Sequence, residues 1–255
     1  GVEYLGEQYV GFQSQGQGNS IQEALMHAIS SVAAQPVTMV CAGRTDAGVH
    51  ALNQVIHVNT TAVREQKHWV RGVNSFLPDD IRVRWAKEMD QVFHARFSAI
   101  YREYVYLMYQ GDKNLFLEPF AWCVGSVNVE EMKQASRCLL GEHDFHAFQS
   151  RHCQSSHAIR KMIDIRFEED RGYLMMHIRA NAFVHHMVRK IVATLVAIGQ
   201  GKISPEDCQS ILIEKNRAAL PGQAPSKGLF LKLIGYPEAF SIPMPQDRVP
   251  WEIGD

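Results

Sequence analysis

The loop Gly43-Arg44-Thr45-Asp46-Ala47-Gly48-Val49-His50-Ala51 concentrates the most chemistry in the chain. It sets an aspartate two residues after an arginine, in a tight loop between apolar runs. A carboxylate so placed can serve as a nucleophile or a base. Asp-Ala-Gly is equally good turn chemistry, so spacing alone leaves both readings open. A second concentration is histidine, 12 in all, with His143-x-x-His146 close to Asp144, His152, Cys153 and His157. Zinc hydrolysis is the chemistry this suggests, but the spacing fits no standard structural or hydrolytic set. His185 and His186 read as helical neighbours pointing in different directions, which do not easily face one ion. Arg189 and His186 are the strongly polar groups toward the middle of an otherwise apolar run. An unpaired guanidinium there is costly, unless it snorkels to the surface.

Several elements must position these groups. Ser20-x-x-Glu23 is a capping box, followed by a helical stripe of Ile21, Leu25, Ala28, Ile29 and Val32 that Pro36 ends. Strands are expected over 37–41, 54–58, 81–85 and 101–109, the last carrying Tyr104, Tyr106 and Met108 on one face. Aromatic residues at such spacing are ordinarily core. Asn128-x-x-Glu131 caps a second helix that Gly141 stops. Lys161 to Phe167 and Leu174 to Ile178 alternate about Asp170-Arg171-Gly172, a hairpin. A long apolar helix is expected from about Ala182 to Ile198. Ser204-Pro205 starts another, a polar loop spans 214–227, and 228–234 is a final buried strand. Helices interleaved with meandering strands in two halves predict an α+β fold, two units around a shared cleft.

The chain has 255 residues, 46% apolar and 21% charged, with 26 basic and 27 acidic side chains. That length suits one large or two small domains and excludes a disordered chain. No apolar run approaches the roughly 20 residues of a membrane span, and the first residues show no signal-peptide pattern. Five scattered cysteines with no C-x-x-C are expected to be reduced thiols, pointing to a cytoplasmic protein. A net charge of −1 means that any polyanion must meet cations focused locally by the fold.

The loop at 43–51 resembles the G-R-T-D-x-G-V-H-A signature of the tRNA pseudouridine synthases that modify uridines 38 to 40 in the anticodon arm. Further blocks are similar to that family's and stand in its order. They are Gly11-Phe12-Gln13 with Gln22-Glu23, Leu77-Pro78-x-Asp80-Ile81, Phe93-His94-Ala95-Arg96-Phe97-Ser98-Ala99 and Arg102-Glu103-Tyr104-Val105-Tyr106. Gly141 to Phe145, Asn181 to Arg189 and Gly228 to Leu231 complete the set. The sequence departs from the family's usual residues at Phe12 (Trp), Ser14 (Arg) and Ala193 (Gly).

The resemblance implies a two-lobed pseudouridine synthase fold, each lobe a mostly antiparallel sheet backed by helices, with the active-site cleft between them. The lobes are expected at 1–100 and 101–255. It also implies that Asp46 acts as the essential carboxylate on a flipped uridine. Arg189 would be the counter-ion that keeps it ionised, and Tyr104 the ring that stacks on the uracil. Arg44 would fill the gap left by the extruded base, and Leu231 would form an apolar wall. His94, Arg96, Arg151, Gln154 and Ser155 would contact the RNA backbone, with Arg64 extending the basic wall. The reaction breaks C1′–N1, forms C1′–C5 and releases the C5 proton, with no atom gained or lost. No redox cofactor, metal or nucleotide is therefore required. A homodimer is the implied assembly, with tRNA the partner. The competing readings are a metal-dependent hydrolase on the His143/His146 cluster and a non-catalytic tRNA-binding module.

Overall fold

The computed structural model describes residues 1–14, 16, 18–151, 153 and 157–244. In chain order the elements are β1 (Val2–Tyr4), α1 (Ile21–Ala33), β2 (Met39–Cys41), β3 (His50–Gln54), β4 (Ile56–Val58), α2 (Gln66–Asn74), β5 (Ile81–Val83) and β6 (Tyr101–Tyr109). Then come β7 (Trp122–Cys123), α3 (Val129–Ser136), β8 (Gly141–Asp144), β9 (Ile159–Asp170), β10 (Tyr173–Ala180), α4 (Met187–Gly199), α5 (Pro205–Glu214) and β11 (Leu229–Gly235). By its internal contacts the chain divides into two compact units, Gly1–Ile100 with the chain from Leu231 onward, and Tyr101–Phe230. The sequence order assigns everything after residue 100 to the second lobe. From Leu231 the chain returns to the first unit, where β11 lies beside β3 in strand order.

In the first unit, β1 runs antiparallel to β3 on one side and to β5 on the other, with Val2 opposite Val83 and Tyr4 opposite Ile81. β2 and β4 form a separate antiparallel ribbon, Met39 opposite Val58. The Ser20 cap forms as expected: its Oγ accepts from Glu23 N at 3.2 Å and donates to Glu23 Oε2 at 2.8 Å. Ile21, Leu25, Ala28 and Ile29 of the helix are buried, and α2 packs beside it. The strand expected over 54–58 is two strands, β3 and β4, broken where the buried Gln54 side chain takes up the backbone N–H of its own neighbour Val55.

The second unit is built on the antiparallel order β6-β10-β9-β8, with β7 added parallel to β6. Ile178 of β10 stands opposite Tyr104 and Ile165. The expected hairpin turns through Arg171 (φ 47) and Gly172 (φ 87), the two left-handed residues of a type I′ turn. Of the inward positions that helical spacing predicts, Met132, Ala135 and Leu139 are buried, while Cys138 is half-buried. The helix, however, tightens into a 3-10 turn at Arg137–Leu139, and Gly141 opens β8 instead of stopping the helix. α5 carries a full capping box, Ser204 N donating to Asp207 Oδ2 at 2.7 Å and Asp207 N to Ser204 Oγ at 3.3 Å.

The long apolar helix begins at Met187, five residues later than its hydrophobic pattern suggests. His186 is its N-cap in a left-handed conformation (φ 67), which no continuing α-helix accommodates. Along α4 only Arg189 and Lys190 are less than buried, and α3 and α5 lie against it. Its apolar circumference is therefore interior.

Candidate active site

The loop bearing Asp46 joins β2 to β3, and its stem is fastened from below by Gln54, which is 0% exposed. Gln54 Nε2 donates to Gly43 O at 2.5 Å and to the Tyr4 hydroxyl at 3.5 Å. Gln54 Oε1 accepts from Val55 N at 3.2 Å and Gly43 N at 3.4 Å. The Tyr4 hydroxyl is hydrogen-bonded to Thr45 Oγ1 at 2.8 Å. Burial pushes the Tyr4 phenol far up, against the hydrogen bonds to Thr45 and Gln54, so it stays a neutral bridging group.

The backbone around Asp46 is held as well. Phe12 N donates to Thr45 O at 3.0 Å, and Gly11 bridges Asp46 in antiparallel fashion. Val49 N donates to Asp46 O at 3.1 Å to close the turn. Gly11 lies at φ +113, and a Cβ there would stand 2.9 Å from Thr45 O, so the approach requires glycine. The result is a half-buried carboxylate on a backbone tied on both sides, with Arg44 exposed in the same loop. Phe12 is buried against Tyr4, ring centroids 6.2 Å apart. Its substitution for Trp is thus a matter of core packing in this chain. Ser14 is half-buried, its hydroxyl donating to the exposed Glu23 Oε1 at 2.6 Å.

Leu231, also in the first unit, is buried on β11. Arg64 is exposed, with Nη1 donating to Val63 O at 2.8 Å. His94 and Arg96 share a short turn, the His94 ring half-buried and Arg96 exposed.

Tyr104 and Arg189 belong to the second unit. Tyr104 is buried on β6 and meets Phe183 edge-on at 5.2 Å. Arg189 stands in the first turn of α4, toward its N-terminal end and not in mid-helix. Arg189 Nε donates to Ala224 O at 2.8 Å, and Ala224 N donates back to Arg189 O at 3.0 Å. With its oxygen turned to the guanidinium, the Gln223 amide accepts from Arg189 Nη1 at 2.6 Å and donates to His186 Nδ1 at 3.0 Å. Burial drives the Tyr106 phenol far up, opposed by the Arg189 charge, and the phenol donates to Pro225 O at 2.7 Å. Residues 223–225 thus bind both the arginine and β6. Sequence reading missed Gln223 because it lies in a polar loop whose partner is distant in the chain.

His185 and His186 are not helical, and their rings lie with centroids 3.8 Å apart, contrary to the divergence a helix would impose. The His143 cluster is taken up by the protein itself. His143 Nε2 bonds Leu140 O at 2.7 Å, Asp144 pairs with Lys215 at 2.7 Å, and His157 meets Arg160 Nη1 at 3.3 Å. Among the described residues His143, Asp144, His146, Cys153 and His157 do not form a metal-ligating group, whereas ring nitrogens of His185 and His186 lie within 4.8 Å of each other and can face one ion, contrary to the sequence expectation.

Two cations beside Arg151 carry no sequence signal. Lys190 Nζ donates to Gln149 O at 2.7 Å, and Arg217 Nη2 to His146 O at 3.1 Å. Burial first, then the charges of Arg217 and Arg151, hold the Lys190 ammonium below its ordinary range. That is a local concentration of positive charge in a chain of near-zero net charge. Arg151 is exposed, whereas Gln154 and Ser155, with His152, lie outside the described residues.

A family model described as tRNA pseudouridine synthase matches residues 2–98 and 135–237. A protein of Vibrio cholerae named tRNA pseudouridine synthase A is 44% identical over 248 residues, 95% of this chain and 93% of that one. Proteins of the same name from Shewanella sediminis (43% over 245 residues, 95% and 94%) and Paraburkholderia phymatum (41% over 256 residues, 98% and 95%) match as extensively. A chain in the solved structure titled "Crystal Structure of a Cbf5-Nop10-Gar1 Complex" superposes with a TM-score of only 0.36 at 11% identity, covering 78% of this chain and 53% of that one. Identity of 41–44% over more than nine tenths of each of these relatives does not arise by chance, and the chain belongs to the tRNA pseudouridine synthase family.

Proposed function

We propose that Asp46 is the carboxylate of a uridine-to-pseudouridine isomerase acting at positions 38, 39 and 40 of the tRNA anticodon arm. Family membership carries the isomerisation of uridine in tRNA. The observation supporting Asp46 is the loop itself, tied at Gly43, Thr45 and Asp46 by Gln54, Tyr4, Gly11 and Phe12. A carboxylate meant to meet one atom of a flipped nucleotide benefits from such fixation.

The assigned roles follow the chemistry. Asp46 engages the uridine as nucleophile or base while C1′–N1 breaks, the uracil turns and C1′–C5 forms. Loss of the C5 proton restores the aromatic base, and N1 takes up a proton, so the atoms balance without a cofactor. Arg189 supplies the positive charge that keeps Asp46 ionised, Tyr104 the stacking surface and Leu231 the apolar wall. Arg44 occupies the place of the extruded base, and His94, Arg96, Arg64 and Arg151 follow the RNA backbone, joined by Lys190 and Arg217. The working form is a homodimer in the cytoplasm, for which light scattering at micromolar concentration is the test.

The deciding experiment is tritium release from tRNA labelled at uridine C5, in EDTA, with wild type and Asp46→Asn. Release by wild type alone is expected. Release by both removes Asp46 from its role. Release by neither, with tRNA still bound, indicates a non-catalytic module, and release that EDTA abolishes indicates a metal enzyme.

A further inference from the structure

The turn at 93–98 presents an aromatic ring to solvent on an unusually well-fixed base. Phe97 is 75% exposed, yet its ring lies parallel to His94, centroids 4.3 Å apart at an interplanar angle of 25°. His94 cannot swing away, since its Nδ1 accepts from Arg96 N at 3.2 Å and Phe97 N at 3.1 Å. Its backbone closes on Ser98, with His94 N donating to Ser98 Oγ at 3.0 Å and Ser98 N donating to His94 O at 2.9 Å. The turn is anchored beneath by two further bonds, Ala95 N to His57 Nδ1 at 3.0 Å and Tyr236 Oη to Ala95 O at 2.6 Å. Burial first, and then the neighbouring His94, lower the His57 pKa, which keeps that nitrogen an acceptor. The Arg96 guanidinium stands 5.5 Å from the Phe97 ring centroid.

A large apolar ring displayed to water gains nothing in folding. Here six hydrogen bonds fix the turn that displays it, one face of the ring is backed by an imidazole, and a cation stands at its side. A planar, electron-poor surface beside a negative charge is the complement of that arrangement, which describes a nucleobase on its phosphate backbone. We propose that Phe97 is a stacking platform for one unpaired nucleobase of the tRNA substrate, with Arg96 taking the adjoining phosphate. Phe97 is then a positioning residue, acting on how the RNA is held and not on the bonds that change. This rests on the tRNA pseudouridine synthase reading and extends it to a residue that has no role in that reading.

The test compares full-length wild type, Phe97→Ala, Phe97→Tyr and, as a control, Phe116→Ala, whose phenylalanine is also exposed, on the loop between β6 and β7. Equilibrium binding of a tRNA transcript and tritium release are read together, with mass by light scattering. Phe97→Ala is expected to weaken binding and raise KM about tenfold, with kcat within about twofold. Phe97→Tyr keeps the π face and is expected to bind within about twofold of wild type, as is Phe116→Ala. Placing an abasic nucleotide at the stacked position should weaken wild type and leave Phe97→Ala unchanged. Equal binding by wild type and Phe97→Ala overturns the proposal, as does failure of Phe97→Tyr to restore binding. A smaller mass for Phe97→Ala also overturns it, by showing that the ring covers a second copy of the chain. Wild type that binds tRNA in a Phe97-dependent way without releasing tritium leaves the platform standing and sinks the isomerase reading. Wild type that binds no tRNA sinks both.

Discussion

Replacing Gln54 by Met tests whether the buried amide is what fixes the Asp46 loop. The substitution preserves length and volume and removes every hydrogen bond the amide makes. Gly43 N, Gly43 O and Val55 N then lose their partners, while the Tyr4 hydroxyl keeps Thr45. A backbone group orphaned in the interior costs about 1–3 kcal/mol. Val55 is buried and pays in full, whereas half-buried Gly43 recovers part of its loss from water. The sum is roughly 2–4 kcal/mol, a large share of the about 5–15 kcal/mol that holds a domain together. Urea unfolding should show a lower midpoint at unchanged slope. At a temperature where the variant is fully folded, kcat should fall by about 10- to 100-fold, the effect of displacing a reacting group by about 1 Å. Wild-type stability together with wild-type kcat would refute the reasoning. A lowered midpoint with kcat intact would leave Gln54 a structural role but no part in aiming Asp46.

Glu103 gives the pH dependence. It is 2% exposed on β6, bonded by Arg179 Nε at 2.8 Å and Arg166 Nη2 at 3.4 Å, with His177 Nδ1 at 3.6 Å. Burial alone would raise its pKa, but the bonds from His177 and Arg179 and the charges of Arg179 and Arg166 hold it down to about 2. A depressed carboxylate stabilises the fold above its unfolded pKa and ceases to do so as pH falls through the folded value. Wild type should therefore exceed Glu103→Gln by about 3 kcal/mol at pH 7, the gap closing between about pH 5 and 2. A gap independent of pH in urea titrations would exclude this account. Gly11→Ala should lower the melting temperature by the equivalent of about 1–3 kcal/mol, from its left-handed backbone and the close Thr45 carbonyl. An unchanged melting temperature would show that the loop moves aside freely.

Local signals were the legible ones. The caps at Ser20 and Ser204 and the turn at Arg171-Gly172 each involve residues within a few positions of one another, and each forms. α2 escaped notice because its N-cap Glu65 makes no side-chain bond and only Val73 is buried, leaving no stripe to read. β1 is three residues long. The start of α4 was misplaced because Phe183 and Val184 continue its apolar pattern. The break comes from distant partners, Ser150 N donating to His185 O at 2.9 Å and Gln223 reaching His186. For the site, spacing alone left Asp46 between a turn and a catalyst. Resemblance nominated the residues, but Gln54, Tyr4 and Gln223, which hold them, appear only once the chain is folded.

The return of the chain to the first unit at Leu231 bears on how the protein is made. Residues 101–230 form one uninterrupted stretch, synthesised whole between the two pieces of the first unit. Residues 1–100 emerge earlier but are incomplete, because the strand beside β3 is not synthesised until β11. Throughout elongation β3 therefore carries an open edge, the kind of surface that pairs with other chains. The half of the molecule that bears Asp46 is the first to be synthesised and the last to be finished. Chains released before residue 231 would keep the Asp46 loop and expose that edge, leaving them to chaperones and proteases.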